Sequence, residues 1–151
     1  MRRFLISALS AGLLAAPIFA GSLWLQADDP QSHPEAMAKK AVVTARIGAC
    51  VEPEKTTVTA TATANVEGKR QTVALHVIRL SDPNTFAITR EWPQTGTWVV
   101  SMIATNPNYK DYATSVVIPV NTGTAVTASA KSYSHAPTAD EIDAALKNAS
   151  L

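Results

Sequence analysis

A single cysteine, Cys50, among 151 residues excludes an internal disulfide framework, so packing alone must hold this chain together. The lone thiol leaves three readings open: buried and inert, paired with another chain, or a metal ligand. Other soft or imidazole ligands are as scarce, with three histidines (His33, His76 and His135) and three methionines, none in a metal-ligand spacing. Cys50 is followed by Val51-Glu52-Pro53-Glu54, without the nearby His and Met of a blue-copper site. The sequence also lacks a phosphate-cradling glycine loop, a paired-carboxylate motif and a nucleophile elbow around Ser101 or Ser115. His76 has no evident nucleophile or orienting carboxylate to serve as a base. The expectation is a protein that is not an enzyme and carries no cofactor.

Clustered positive charge is absent too. Apart from Arg2 and Arg3, the 11 remaining basic residues are scattered and face 12 acidic ones, which excludes a nucleic-acid partner. Glycine, proline and charge are not in excess, and 46% of residues are hydrophobic, a composition that folds as one domain with a modest core.

What is present begins with an export pattern. Met1-Arg2-Arg3 supplies a positive start and Phe4 to Phe19 is an uncharged, largely apolar run. Cleavage after Ala20, with Ile18 at −3, and cleavage after Ala27, with Leu25 at −3, are the two readings, and neither is an ideal A-x-A site. No charge occurs until Asp28, so retention of residues 4–27 as an inner-membrane anchor, with Trp24 at the interface, is the alternative. Either outcome places the domain in the periplasm or outside the cell. Residues 1–27 are therefore read as signal peptide or anchor, and 28–40 as a linker. Within the linker, Ser32-x-x-Glu35 predicts a capping box that starts a short helix through Met37 and Lys40.

From Ala41 the period changes to two. Val43, Ala45, Ile47, Ala49 and Val51 share one face of a first strand, with Cys50 on the other and Gly48 as a site for a bulge. In Thr57 to Val66, Val58, Ala60, Ala62, Ala64 and Val66 alternate with threonines and Asn65. Thr72 to Leu80, apolar on both faces, reads as a central strand. Phe86 to Trp92, Thr97 to Thr105, Thr114 to Val120 and Val126 to Ala130 complete seven strands, separated by turns such as Ser81-Asp82-Pro83-Asn84. Arg90, on an apolar face, is expected near a rim. Thr138-x-x-Glu141 followed by Ile142, Ala145 and Leu146 predicts a capped amphipathic helix within 134–151 that packs on the sheets. The fold class is all-β: an Ig-like antiparallel β-sandwich over 41–133 with a short C-terminal helix.

Trp92-Pro93-Gln94-Thr95-Gly96-Thr97-Trp98-Val99-Val100 resembles the approach to a late strand in Ig-like domains, with Trp98 at the corner-tyrosine position and Val100 where a second cysteine would stand. With the export segment, it is similar to the bacterial periplasmic sandwiches called YtkA-like or FixH-like. The resemblance covers about Thr57 to Val120 and implies structural roles for the matching residues. Some members are associated with copper handling, which makes His33, Met37, Cys50 and His76 the alternative metal ligands. The leading expectation is a non-catalytic binding or accessory module of the bacterial envelope, with an unknown protein or envelope component as partner. Its expected contact residues are Tyr109 and Tyr112, flanking the Pro107-Asn108 loop, and Trp92 beside a turn.

Overall fold

In Thr57 to Val66, small and β-branched residues alternate so that one face is apolar, and the segment forms the longest strand of a two-sheet sandwich. The computed structural model describes residues 23–49, 52–121 and 123–150. Met1 to Ser22 of the export segment, and Cys50, lie outside the described residues. The strands are β1 (Trp24–Asp28), β2 (Ala41–Gly48), β3 (Thr57–Val66), β4 (Lys69–Ala74), β5 (Val77–Arg79), β6 (Thr85–Thr89), β7 (Trp98–Thr105), β8 (Ala113–Asn121), β9 (Thr124–Ala125) and β10 (Lys131–Tyr133). Two helices accompany them, α1 (Pro34–Ala38) and α2 (Ala139–Ala149).

One sheet has the order β1-β2-β6-β5 and the other β10-β8-β7-β3-β4, with β9 also pairing β8, all antiparallel. The first order is that of the ABED sheet of immunoglobulin domains, and β3, β7 and β8 correspond to C, F and G. The core lies between the sheets. Leu23, Leu25, Val43, Ala45, Ile47, Phe86 and Ile88 meet Val58, Ala60, Ala62, Ala64, Trp98, Val100, Met102 and Ile118 across it.

Ten strands among the described residues exceed the seven expected, for three physical reasons. The strand read over Thr72 to Leu80 is broken at Leu75-His76, where the chain leaves one sheet for the other. It is an edge in both sheets rather than a central strand, and its two apolar faces arise because Leu75 turns into the core at the crossing. The last expected strand, around Val126 to Ala130, is a 3₁₀ turn at Thr127–Ser129 between β9 and β10. Pro119 of β8 accepts from Val126 N on that side but has no hydrogen of its own to donate there, so the ladder is interrupted. The third addition is β1, which occupies most of the stretch assigned from sequence to the end of the export segment.

β1 is integral to the sandwich. It pairs with β2 from Trp24↔Gly48 to Asp28↔Thr44, and Leu23 and Leu25 are 1% and 5% exposed in the core. Thr44 Oγ1 donates to Asp28 O at 3.0 Å. Burying two leucine side chains contributes about 3–6 kcal/mol, a large share of the ~5–15 kcal/mol that holds a domain of this size.

The outer faces are covered by helices. α1 places Ala36 over Ala41, Leu80 and Ala87. Its start is not the expected capping box: His33 is the N-cap, Ser32 closes a preceding 3₁₀ turn capped by Asp29, and Glu35 Oε2 accepts from Ser81 N at 2.9 Å instead. α2 has the expected box, with Glu141 N donating to Thr138 Oγ1 at 3.3 Å and Thr138 N donating to Glu141 Oε2 at 2.8 Å. Its Ala145 and Leu146 pack on Val99 and Val117, so its apolar stripe serves its own sheet. Among the described residues no helix is long and apolar enough to cross a membrane.

The Glu35 bond, with Asp82 accepting from Thr85 Oγ1 at 2.7 Å and Asn84 N at 3.1 Å, holds the turn between β5 and β6. These bonds favour the charged forms: Glu35 is lowered chiefly by the Ser81 backbone bond, and Asp82 by Thr85 and then Asn84. Their folded values lie below the unfolded ones, so the stability they contribute is full above the ordinary carboxylate range and is lost as the pH falls through and below about 4. Amide exchange over 81–85 is expected to lose protection on acidification before β3 and β7 do.

Candidate binding cleft

The turn before β7 sets the end of the core. Gly96 has φ +93°, the left-handed region, and lets the chain fold around the Trp98 indole, whose Nε1 donates to Thr95 O at 2.9 Å. A Cβ on Gly96 would stand 3.3 Å from that nitrogen. This is the side-chain-to-upstream-backbone bond of the immunoglobulin tyrosine corner, made here by tryptophan.

Trp92 does not join a surface. It is 3% exposed and belongs to the core, which corrects the expectation that it contacts a partner. The large ring at the end of an apolar face gains from burial even though its Nε1 has no hydrogen-bond partner there. Arg90 lies beside it at the rim, its Nε donating to Trp92 O at 3.2 Å and its guanidinium 5.6 Å from the ring.

Tyr109 and Tyr112 are half-buried on the loop between β7 and β8. The loop is pinned by Asn106, itself 3% exposed, whose Nδ2 donates to Glu52 O and Thr56 Oγ1, both at 3.0 Å, while its Oδ1 accepts from Asn108 N at 2.9 Å. Tyr109, Tyr112, Asn106 and His135 line one groove of about 590 Å³.

Tyr112 also lines a larger cleft, of about 740 Å³, on the open side of the sandwich between the edge strands β1 and β10. Leu23, Leu25, Gly48, Trp24, Tyr112 and Tyr133 are among the residues that line it. None of its lining residues is charged. Its size falls in the range of ligand sites, and apolar and aromatic lining is what such sites use. Tyr112 Oη donates to Leu23 O at 3.5 Å, tying the loop to the start of β1. Burial, and then the Glu141 carboxylate, raise the Tyr133 phenol above its ordinary value.

Trp24 is 44% exposed and lies flat on Gly48, its cross-strand partner. Gly48 therefore carries no bulge, contrary to expectation; it is the bare backbone on which the indole rests. A Cβ at position 48 would come 2.2 Å from the indole. Gly48→Ala is expected to swing Trp24 off β2, shift tryptophan emission to the red and destabilise by about 1–3 kcal/mol. Trp92 and Trp98 also emit but are buried, so the component accessible to a soluble quencher such as acrylamide reports this indole.

Of the metal alternatives, the three among the described residues, His33, Met37 and His76, are not brought together. His33 and Met37 sit at α1, beside the turn after β5, whereas His76 precedes β5 at the opposite end of that strand. His76 pairs instead with Glu91, Nδ1 to Oε1 at 2.9 Å, with its side chain 81% exposed. Among the described residues no group of three or more His, Cys, Asp or Glu is gathered. Ser115 is fully buried and donates to His135 O at 2.6 Å, and Ser101 is 3% exposed, so neither hydroxyl is open to a substrate.

Strand order and the tryptophan corner define the class as an Ig-like antiparallel β-sandwich. No protein-family model, curated protein or solved structure matches the chain.

Proposed function

We propose that this chain is a non-catalytic binding module of a bacterial envelope, exported by its N-terminal segment, and that it holds a neutral, largely apolar segment of a partner in the cleft between β1 and β10. The observation that carries the reading is the uncharged cleft whose lining includes Trp24, Tyr112 and Tyr133. A solvent-exposed indole fixed over glycine costs little side-chain entropy on binding, the property that makes aromatic anchors effective. β1 is an edge strand, so its outer main-chain groups are available to an extended segment. The YtkA-like or FixH-like resemblance agrees with this reading through the Trp98 corner and the export segment.

A photo-reactive phenylalanine analogue introduced at position 24, 133 or 71 in intact envelopes tests it. The expected result is one adduct of the same mass from positions 24 and 133 and none from Gln71, on the exposed edge strand β4. Equal adducts from all three positions, or none from any, would count against the cleft.

A further inference from the structure

The four strands that end the two sheets differ in how they are guarded. β4 carries Lys69 and Arg70, β5 is three residues long and ends in Arg79, and β10 is three residues long and starts with Lys131. Basic residues and short length are what discourage a sheet edge from taking on a further strand. β1 is five residues long and has no lysine, arginine or proline.

The pairing pattern fixes which of its main-chain groups are free. Ile47 N donates to Asn84 O, so Ile47 turns its main chain toward β6, and Leu25, opposite it on the other side, makes no bond to β2. Bonded and unbonded pairs alternate along an antiparallel ladder, so Trp24, Gln26 and Asp28 bond β2, while Leu23, Leu25 and Ala27 direct N–H and C=O to the open side of the sandwich. Two side-chain bonds agree with this assignment. Asp28 O accepts from Thr44 Oγ1 of β2 at 3.0 Å, and Leu23 O accepts from Tyr112 Oη, which belongs to the cleft. Among the described residues no hydrogen bond reaches the outer groups of Leu25 or Ala27.

We infer that the occupant of the cleft is an extended segment of another protein that adds to β1 as a fifth strand of the four-stranded sheet, bonding the main chain of Leu25 and Ala27; this rests on the cleft reading above. A helical guest would bring no free N–H or C=O to this edge, because its own ladder uses them. Residues opposite one another in neighbouring strands point to the same face. Leu23 and Leu25 point into the core, so the guest residues opposite them enter the cleft. No residue lining the cleft is charged, and a charge brought there would be desolvated without a partner, so these guest residues are neutral and apolar. The guest residues between them lie on the outer face with the exposed Trp24 and with Gln26, whose Oε1 accepts from Arg46 Nη2 at 3.2 Å, and polar side chains are tolerated there. The recognised pattern is therefore a neutral apolar residue at every second position.

The full chain in intact envelopes, with the photo-reactive analogue at position 133, is compared with the same chain carrying Ala27→Pro. Proline at 27 removes an outward N–H and leaves the bonds to β2 in place, because Ala27 makes none of them. The adduct is expected to fall by roughly tenfold, the equivalent of about 1.4 kcal/mol of binding, while the urea midpoint of the purified variant stays that of the parent. An undiminished adduct from a folded variant overturns strand addition and leaves the cleft reading standing. No adduct from position 24 or 133 in the parent chain overturns the cleft reading and this inference with it. An adduct with the mass of two copies of this chain overturns the foreign occupant. Digestion of the adduct and sequencing of the captured peptide provide a second measurement that does not depend on the folding of Ala27→Pro. The expected peptide alternates neutral apolar residues with others; apolar residues at helical spacing, or no such alternation, overturn the inference.

Discussion

Trp98→Ala is expected to remove about 3–5 kcal/mol, the cost typical of deleting a buried aromatic side chain. Few positions should be as sensitive, because Trp98 is 1% exposed, sits at the first residue of β7 and closes its own turn through Thr95 O. With a urea slope of about 1–3 kcal/mol per molar, the midpoint should fall by roughly 2 M. Against a total of ~5–15 kcal/mol, the variant stands near the edge of unfolding. Trp98→Phe separates packing from the corner bond: it keeps most of the apolar volume and leaves the Thr95 carbonyl without its donor, for a loss of about 1 kcal/mol beyond the change in size. If Trp98→Ala cost no more than Trp24→Ala, the corner would have no structural role.

The second large effect is expected at Asn106. Its amide joins the segment after β2 to the loop after β7, and Asn106→Ala removes the donor to Glu52 O and Thr56 Oγ1 and the acceptor of Asn108 N in one step. Thr56 is 1% exposed, so water cannot replace the lost partner there. A buried polar group left unsatisfied costs about 1–3 kcal/mol, which sets the expected loss at roughly 3 kcal/mol by denaturant titration. The same change should loosen the loop that carries Tyr109 and Tyr112, seen as faster amide exchange over 106–112. Unchanged exchange there would mean that the backbone bonds Tyr109 N to Asn106 O and Tyr112 N to Tyr109 O hold the loop unaided.

The sandwich was legible where the physics is local. The alternation in Thr57 to Val66 became β3 with Val58, Ala60, Ala62 and Ala64 inward, and Val43, Ala45 and Ile47 took the predicted face of β2. Thr138-x-x-Glu141 produced its capping box because the helix it opens is long enough to fix the geometry. Ser32-x-x-Glu35 did not, because Pro34 placed the helix start one residue later and Glu35 found the Ser81 amide, a partner 46 residues away. Distance in sequence also hid the crossing at Leu75-His76, since an edge strand that changes sheets has the same apolar content as a central one.

The cleft was legible only in part. Of the two tyrosines singled out on the loop, Tyr112 lines it and Tyr109 lines the neighbouring groove. Trp24 was hidden because Leu23, Leu25 and Ala27 alternate with Trp24, Gln26 and Asp28 directly behind a continuous apolar run, where a period of two is hard to see. Tyr133 was missed because only the interruption at Pro119 brings β10 to the sheet edge. The signal that could have found both is the first charge at Asp28: an alternating stretch before it already has the pattern of a strand.

The pairing order has a consequence for how the chain comes together. β2 pairs with β1 and β3 with β4 within the first half of the chain, but Thr61 also meets Ser101 and Ala45 meets Phe86, so the second neighbour of each comes from the second half. Closing such long loops first makes folding slow, typically milliseconds to seconds for this topology. A polypeptide emerging amino end first would therefore have at most the pairs β1–β2 and β3–β4 to form, and could close neither sheet until β6 and β7 follow.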